Sequence, residues 1–335
     1  MKLAAAIIVL LSHGGYWVGG REQTIEIRWP IEQAMPDSVV WWELKTANVT
    51  LAADHVALAA RDGKATIRIA VPAVREQTEL RFVYRVVEAN GIRELTSGES
   101  AVHAYADQLK DLATLTAADR LLVIDDESKL PALLNTAGAA FDRADDAPIT
   151  ATAKTIIVGE NKLGENDPAI ETLQAFARGG ANVLVLKQTR APRLWHYECA
   201  DRDVTGYALD ADHPLLRHLP AEAWSSLLSD SPRQVALSLK ADEPALAVVH
   251  SPFESQGVNV APLDALLLTR SIGTGRLVFC QLPLSDAATD ARQQQLLVNL
   301  IEYARTPPQP TPPREEFVVP KKQKLQDTVS DIYGR

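Results

Sequence analysis

The sequence predicts two domains: an antiparallel β-sandwich over residues 16–106, then an open α/β domain over residues 110–305. Three observations point there. The chain has 335 residues, long enough for two ordinary domains. Its first third alternates apolar and polar residues with a period of two, as half-buried strands do. Its remainder alternates short apolar runs with segments of helical period, the pattern of strands joined by crossover helices.

In the first region Ile25, Ile27 and Trp29 alternate with Glu26 and Arg28, and Ile67, Ile69 and Val71 with Arg68 and Ala70. A third run, Leu80, Phe82, Tyr84 and Val86, precedes Asn90-Gly91, a strong two-residue hairpin signal, with Asp62-Gly63 as another turn. Trp41 and Trp42 are adjacent, so in a strand they point to opposite faces, one to the core and the other outward.

After a polar joint at 106–119, Leu121 to Ile124 reads as a buried strand, 129–141 as a helix and Thr155 to Val158 as a second strand. Asp167-Pro168 supplies a cap and first-turn proline. Ile170, Leu173, Phe176 and Ala177 line one face of the helix that follows, and Gly179-Gly180 stops it. Asn182 to Leu186 is a third strand, followed by runs at 245–249, 263–269 and 276–282. Gly273-Thr-Gly275 opens the last of these as a hairpin bend, not as a dinucleotide loop. A closing helix from Asp290 buries Leu296, Leu297, Leu300, Ile301 and Ala304. Residues 306–335 read as a proline-rich linker and polar tail.

Composition narrows the partners. Hydrophobic residues make up 46% and charged residues 23%, the balance of a globular chain with buried cores. The net charge of −9 repels a phosphate backbone, so nucleic acid is not an expected partner. Met1 and Lys2 precede nine apolar residues, Leu3 to Leu11, and small residues permit cleavage after Gly14. Residues 1–14 therefore read as a signal peptide, placing the mature protein in the periplasm or outside the cell. Nine residues are too few for a membrane-spanning helix, and no later run is longer, so no membrane span is expected. Cys199 and Cys280 either pair across this oxidising route or remain buried thiols.

Candidate chemistry is sparse. Asp125-Asp126-Glu127 follows the first strand of the second region, and Glu160 follows the next, so Asp125, Asp126 and Glu160 form a candidate acidic cluster at strand ends. Trp41, Trp195, Tyr197 and Trp224 are candidates for stacking on a sugar or anchoring an interface. Cys199 with His196 is a conceivable dyad without the glycines that shape a nucleophile's turn. His213 and His218 lack the spacing of paired ligands, and no Cys-x-x-Cys or His-Glu-x-x-His occurs, so neither metal nor cofactor is expected.

Several runs carry a resemblance: Thr155-Ile-Ile-Val-Gly159, Phe176-Ala-Arg-Gly-Gly180, Ala181 to Leu186, His213 to Trp224 and Gly273 to Leu282. Together they resemble the class I glutamine amidotransferase-like domain, a three-layer flavodoxin-like α/β fold. More narrowly, they are similar to its non-catalytic version in bacterial glycoside hydrolase family 2 proteins and in the trimerisation domain of β-galactosidases. The preceding region resembles the immunoglobulin-like (Ig-like) modules that accompany such enzymes. Catalytic relatives carry a cysteine on a glycine-flanked turn after the third strand; here that place reads Lys187-Gln188-Thr189. No catalytic residue transfers. The resemblance implies a non-catalytic accessory or scaffold protein of a carbohydrate system that self-associates or docks to a glycoside hydrolase. Two alternatives stay open: a divergent exported hydrolase of a glycan or amide using Asp125 and Glu160, and a module that binds polysaccharide through Trp41, Trp195 and Trp224.

Overall fold

The structure, a computed structural model, describes residues 7–29, 37–58, 63–91, 93–125, 129–144, 154–164, 167–189, 193–195, 197–202, 207–208, 213–219, 223, 226–227, 234–238, 246–251 and 264–307. Asp126, His196, Trp224 and the linker and tail from residue 308 lie outside these.

Eight strands form the first region: β1 (Ile8–Leu11), β2 (Tyr16–Val18), β3 (Glu22–Arg28), β4 (Ser38–Thr46), β5 (Val49–Leu58), β6 (Lys64–Ala70), β7 (Thr78–Glu88) and β8 (Glu94–Tyr105). They make a three-stranded sheet, β1-β3-β6, and a five-stranded sheet, β2-β8-β7-β4-β5. The period-two residues do what their spacing dictates. Ile25, Ile27, Ile67 and Ile69 from one sheet and Trp42, Leu44, Phe82 and Val102 from the other share one apolar cluster. Ile8–Leu11, inside the segment read as a signal peptide, pair antiparallel with β3.

The second region contributes β9 (Leu121–Ile124), β10 (Phe141–Arg143), β11 (Thr155–Val158), β12 (Asn182–Val185), β13 (Arg193–Leu194), β14 (Tyr197–Arg202), β15 (Tyr207–Ala208), β16 (Gln234–Ser238), β17 (Leu246–Ser251), β18 (Asp264–Ile272) and β19 (Gly275–Cys280). Its helices are α1 (Asp111–Thr116), α2 (Lys129–Thr136), α3 (Pro168–Arg178) and α4 (Ala291–Arg305). One mixed sheet runs β10-β9-β11-β12-β19-β18-β16-β14-β13, with β15 and β17 paired off that path. The strands from β10 to β19 are parallel, and from β19 onward neighbours are antiparallel. Alternate residues of the parallel strands face opposite sides. Ile157, Leu184 and Val278 join the α4 cluster, whereas Ile156, Val183 and Phe279 join the α3 cluster.

This arrangement overturns the expected fold class. In place of an antiparallel Ig-like sandwich and a flavodoxin-like α/β domain, strand outweighs helix among the described residues, in one antiparallel and two mixed sheets. Two features account for the difference. Tyr16–Val18 adds to the five-stranded sheet parallel to β8, which brings the amino-terminal chain alongside the last strand of the region. The Gly273-Thr274 turn sends β18 straight back into β19, with Ile272 opposite Gly275, so this half of the sheet grows by hairpin and not by crossover helix.

The helix boundaries follow their caps. Asp167 accepts from the Ala169 backbone N–H ahead of Pro168, and Asp290 accepts from Arg292 N–H at the start of α4. Asp290 also joins the two regions. It bridges to Trp17 in a two-residue β-contact, and its carboxylate takes two hydrogen bonds from the Arg292 guanidinium, at 3.0 and 2.7 Å. Arg292 further donates to Ser226 Oγ at 2.8 Å and lies 5.1 Å from the centre of the Tyr16 ring. Gln23 donates to the Thr289 carbonyl at 2.9 Å, and Arg21 pairs with Asp107 at 2.8 Å.

Candidate functional site

The carboxyl ends of parallel strands are where open sheets place ligands, because helix starts and loops converge there. Asp125 follows β9 and Glu160 follows β11, so the structure brings these two predicted acids to neighbouring strand ends. Both are engaged in packing. Asp125 is 6% exposed and lies over the Gly159 backbone, where an added Cβ would stand 2.6 Å from its carboxyl carbon. Glu160 accepts from Leu284 N–H at 3.0 Å, tying the β11 end to the segment beyond β19.

At the next strand end, beyond β12, sits a residue to which sequence reasoning gave no role. Gln188, beyond the end of β12, is fully buried. Its amide nitrogen donates to the carbonyls of Gly159 (2.8 Å) and Leu186 (2.7 Å), and its amide oxygen accepts from Leu163 N–H (2.9 Å). The Gln188 backbone N–H in turn donates to Gln281 Oε1 at 3.0 Å. Two glutamines thus close the strand ends of β11, β12 and β19 over one another. The sequence signal was available: a polar amide placed one to three residues after a fully apolar strand either faces solvent or satisfies buried backbone.

Cys280 is not disposed as a nucleophile. Burial pushes the Cys280 thiol up to about 12, so it stays protonated at any physiological pH. Cys199 sits opposite Leu237 in the β14–β16 ladder, and neither cysteine forms a disulfide. Among the described residues no group of three or more His, Cys, Asp or Glu could hold a metal ion. His213 is buried and caps a helical turn, its Nδ1 accepting from Leu215 N–H at 3.2 Å.

The aromatic candidates separate. Trp41 and Trp42 do face opposite ways, Trp42 into the core and Trp41 outward with 42% exposure. The Trp41 ring stacks on His55 of β5, centroids 4.7 Å apart, with the Arg85 guanidinium of β7 5.8 Å away on its other flank. With neighbours on both sides, it presents an edge more than a free face. Trp195 and Tyr197 are brought together. Both pack edge-on to Phe279, at 4.9 and 5.7 Å between centroids. Together with Gln174 of α3, Arg270 and Ile272 of β18 and Leu277 of β19 they line a cavity of about 70 Å³. Arg270 Nη1 donates to the Tyr197 hydroxyl at 3.1 Å.

No family model matches the chain, and no curated protein does. Among solved structures, a family 76 glycoside hydrolase from a bovine Bacteroides thetaiotaomicron strain overlaps 33% of this chain at 12% identity and a TM-score of 0.23. The PmoD soluble domain from Methylocystis sp. ATCC 49242 (Rockwell) overlaps 31% at 6% identity (TM-score 0.22), covering 94% of that domain. A sialyltransferase from Photobacterium damsela overlaps 50% at 11% identity (TM-score 0.19). The overlap spans 23% of the hydrolase and 34% of the sialyltransferase. Overlaps this slight define neither fold nor activity. Among the described residues no helix is long and apolar enough to cross a membrane.

Proposed function

We propose that the chain is a non-catalytic accessory module of a carbohydrate-processing system, one that holds a ligand without turning it over. The observation that carries this reading is Gln188. It follows β12, at the place in the sequence where the enzymes that this sequence resembles carry their nucleophile, and its side-chain amide is buried and hydrogen-bonded to three backbone groups. A group so held is neither accessible to a substrate nor free to attack one. Asp125 and Glu160 support the same reading. A general acid and base must face a reacting bond, whereas Glu160 is bonded to Leu284 N–H and Asp125 lies against Gly159.

The test is turnover. Purified chain incubated with a panel of chromogenic glycosides, polysaccharides and amides is expected to release no product above the blank. Asp125→Ala and Glu160→Gln are expected to change nothing in that assay. Product formation that either substitution abolishes would establish the hydrolase alternative and end the accessory reading.

A further inference from the structure

We propose that Asp54 keeps the β5 edge of the five-stranded sheet closed, and that without its carboxylate this edge adds a second copy of the chain, strand to strand. The proposal goes beyond the accessory reading and does not depend on it.

Among the described residues β5 is the last strand of its sheet, next to β4. Which of its backbone groups face outward follows from the ladder. Ala89 N–H donates to the Asp37 carbonyl at 2.8 Å, one step beyond the Ser38–Glu88 pair of β4 and β7. Hydrogen-bonding direction alternates along a strand, so Val39, Trp41 and Glu43 turn their backbone groups to β7, and Val40, Trp42 and Leu44 turn theirs to β5. Opposite these three, Val56, Asp54 and Ala52 bond back to β4. The N–H and C=O groups of Ala53, His55 and Ala57 therefore point away from the sheet, a row ready to pair with another strand. With ten residues, and with Val49 and Leu51 exposed, β5 is the kind of edge that recruits further strands.

Two features of Asp54 oppose this. It carries a charge on the face that elsewhere is apolar. Ala52, Val56 and Leu58 belong to the apolar cluster under the sheet or pack against it, and Asp54 shares their row, opposite the buried Trp42. At the edge its side chain stays in water, 68% exposed, but an added strand would cover it, and a covered carboxylate without a partner is costly. Second, Asp54 Oδ1 accepts the His55 backbone N–H at 2.8 Å and so takes the central donor of the outward row. The same oxygen lies 3.3 Å from His55 Nδ1, and the His55 ring is held by its stack on Trp41. An incoming carbonyl meets a carboxylate oxygen where it needs a donor. The occupant that fits an opened edge is a second β5 running antiparallel. A two-fold axis at His55 sets Ala53 of one copy against Ala57 of the other, with both apolar rows on one face, and it sets residue 54 against Val56, where a carboxylate is misplaced and an apolar side chain fits.

Light scattering on the full chain, over a concentration series, tests this with Asp54→Val. The variant is expected to reach twice the wild-type mass. Ala53→Pro added to it removes an outward N–H without touching the β4 ladder, and is expected to restore the wild-type mass. Amide exchange at Ala53 and Ala57 is expected to slow in Asp54→Val relative to wild type, since only strand pairing at this edge protects those groups. Asp54→Val at the wild-type mass, a mass increase that Ala53→Pro leaves in place, or one without slowed exchange at Ala53 and Ala57 would overturn the proposal.

Discussion

Replacing Asp290 with alanine is expected to destabilise the folded chain by about 3–5 kcal/mol, because the change removes the carboxylate paired with the buried Arg292 guanidinium. Both side chains are 1% exposed, and the carboxylate receives two of the guanidinium's hydrogen bonds as well as the α4 cap bond from Arg292 N–H. Loss of the cap alone costs about 1 kcal/mol. The remainder is the loss of the counter-charge to a buried cation, whose bond to Ser226 and approach to Tyr16 stay. In a chain this long the melting temperature should fall by roughly 10 °C. Arg292→Met in the Asp290→Ala background should recover much of the loss, since removing both charges leaves nothing buried and unpaired. Urea titration of the single and double variants checks this. A single variant that unfolds at the wild-type midpoint would mean that the junction between the first two sheets and α4 is hydrated.

Gly275→Ala should be more damaging still. A Cβ at Gly275 would stand 2.1 Å from the Ala181 carbonyl oxygen and 2.3 Å from that of Ala177, the latter in the last turn of α3. These are backbone atoms, so no side-chain rotation relieves the clash, and β19 must leave β12 or α3 must lift from the sheet. More than about 4 kcal/mol is expected, enough to remove most soluble protein from an expression culture. Gly91→Ala is the matched control. Gly91 has positive φ, +73°, which Gly275 lacks, but nothing lies within 4 Å of an added Cβ, so only the left-handed penalty of about 1–2 kcal/mol applies. Equal effects at the two positions would contradict the close approach of β19 to α3.

These two sites also mark how far the sequence could be read. Helix α4 was legible from both ends: Asp290 is its cap, and Leu296, Leu297, Leu300, Ile301 and Ala304 are all buried. What the pattern could not show is that Arg292, Gln294 and Asn299 are buried as well, because a polar residue on a helix reads as solvent-facing until its partner is known. Gln294 finds Gln108 N–H and Asp107, and Asn299 the Leu215 and Arg217 carbonyls, all distant in sequence. Strand direction was hidden for a similar reason. The centres of β18 and β19, residues 265–268 and 277–280, are apolar throughout, and an apolar run looks alike in parallel and antiparallel neighbourhoods. The expected crossover sheet therefore gave way to a mixed one, although the Gly273-Thr274 bend was visible from the start.

The candidate site was legible in part. Asp125 and Glu160 stand at adjacent strand ends, and Trp195 and Tyr197 both pack against Phe279. Trp195 looked like one of two large aromatics in a loop; in the structure it precedes β14, with its ring against Phe279 and its indole N–H turned inward. No periodicity rule reports an unmatched donor. Gln188 escaped because an amide has no motif, and its role lies wholly in which backbone groups surround it.

Calorimetric titration of the full chain with the soluble polysaccharides of the turnover panel tests the central claim most directly, since one trace separates holding from turnover. The account predicts heats that decline to a flat baseline as sites fill, with the same baseline for Asp125→Ala. Sustained heat flow in excess ligand, lost in Asp125→Ala, would contradict it.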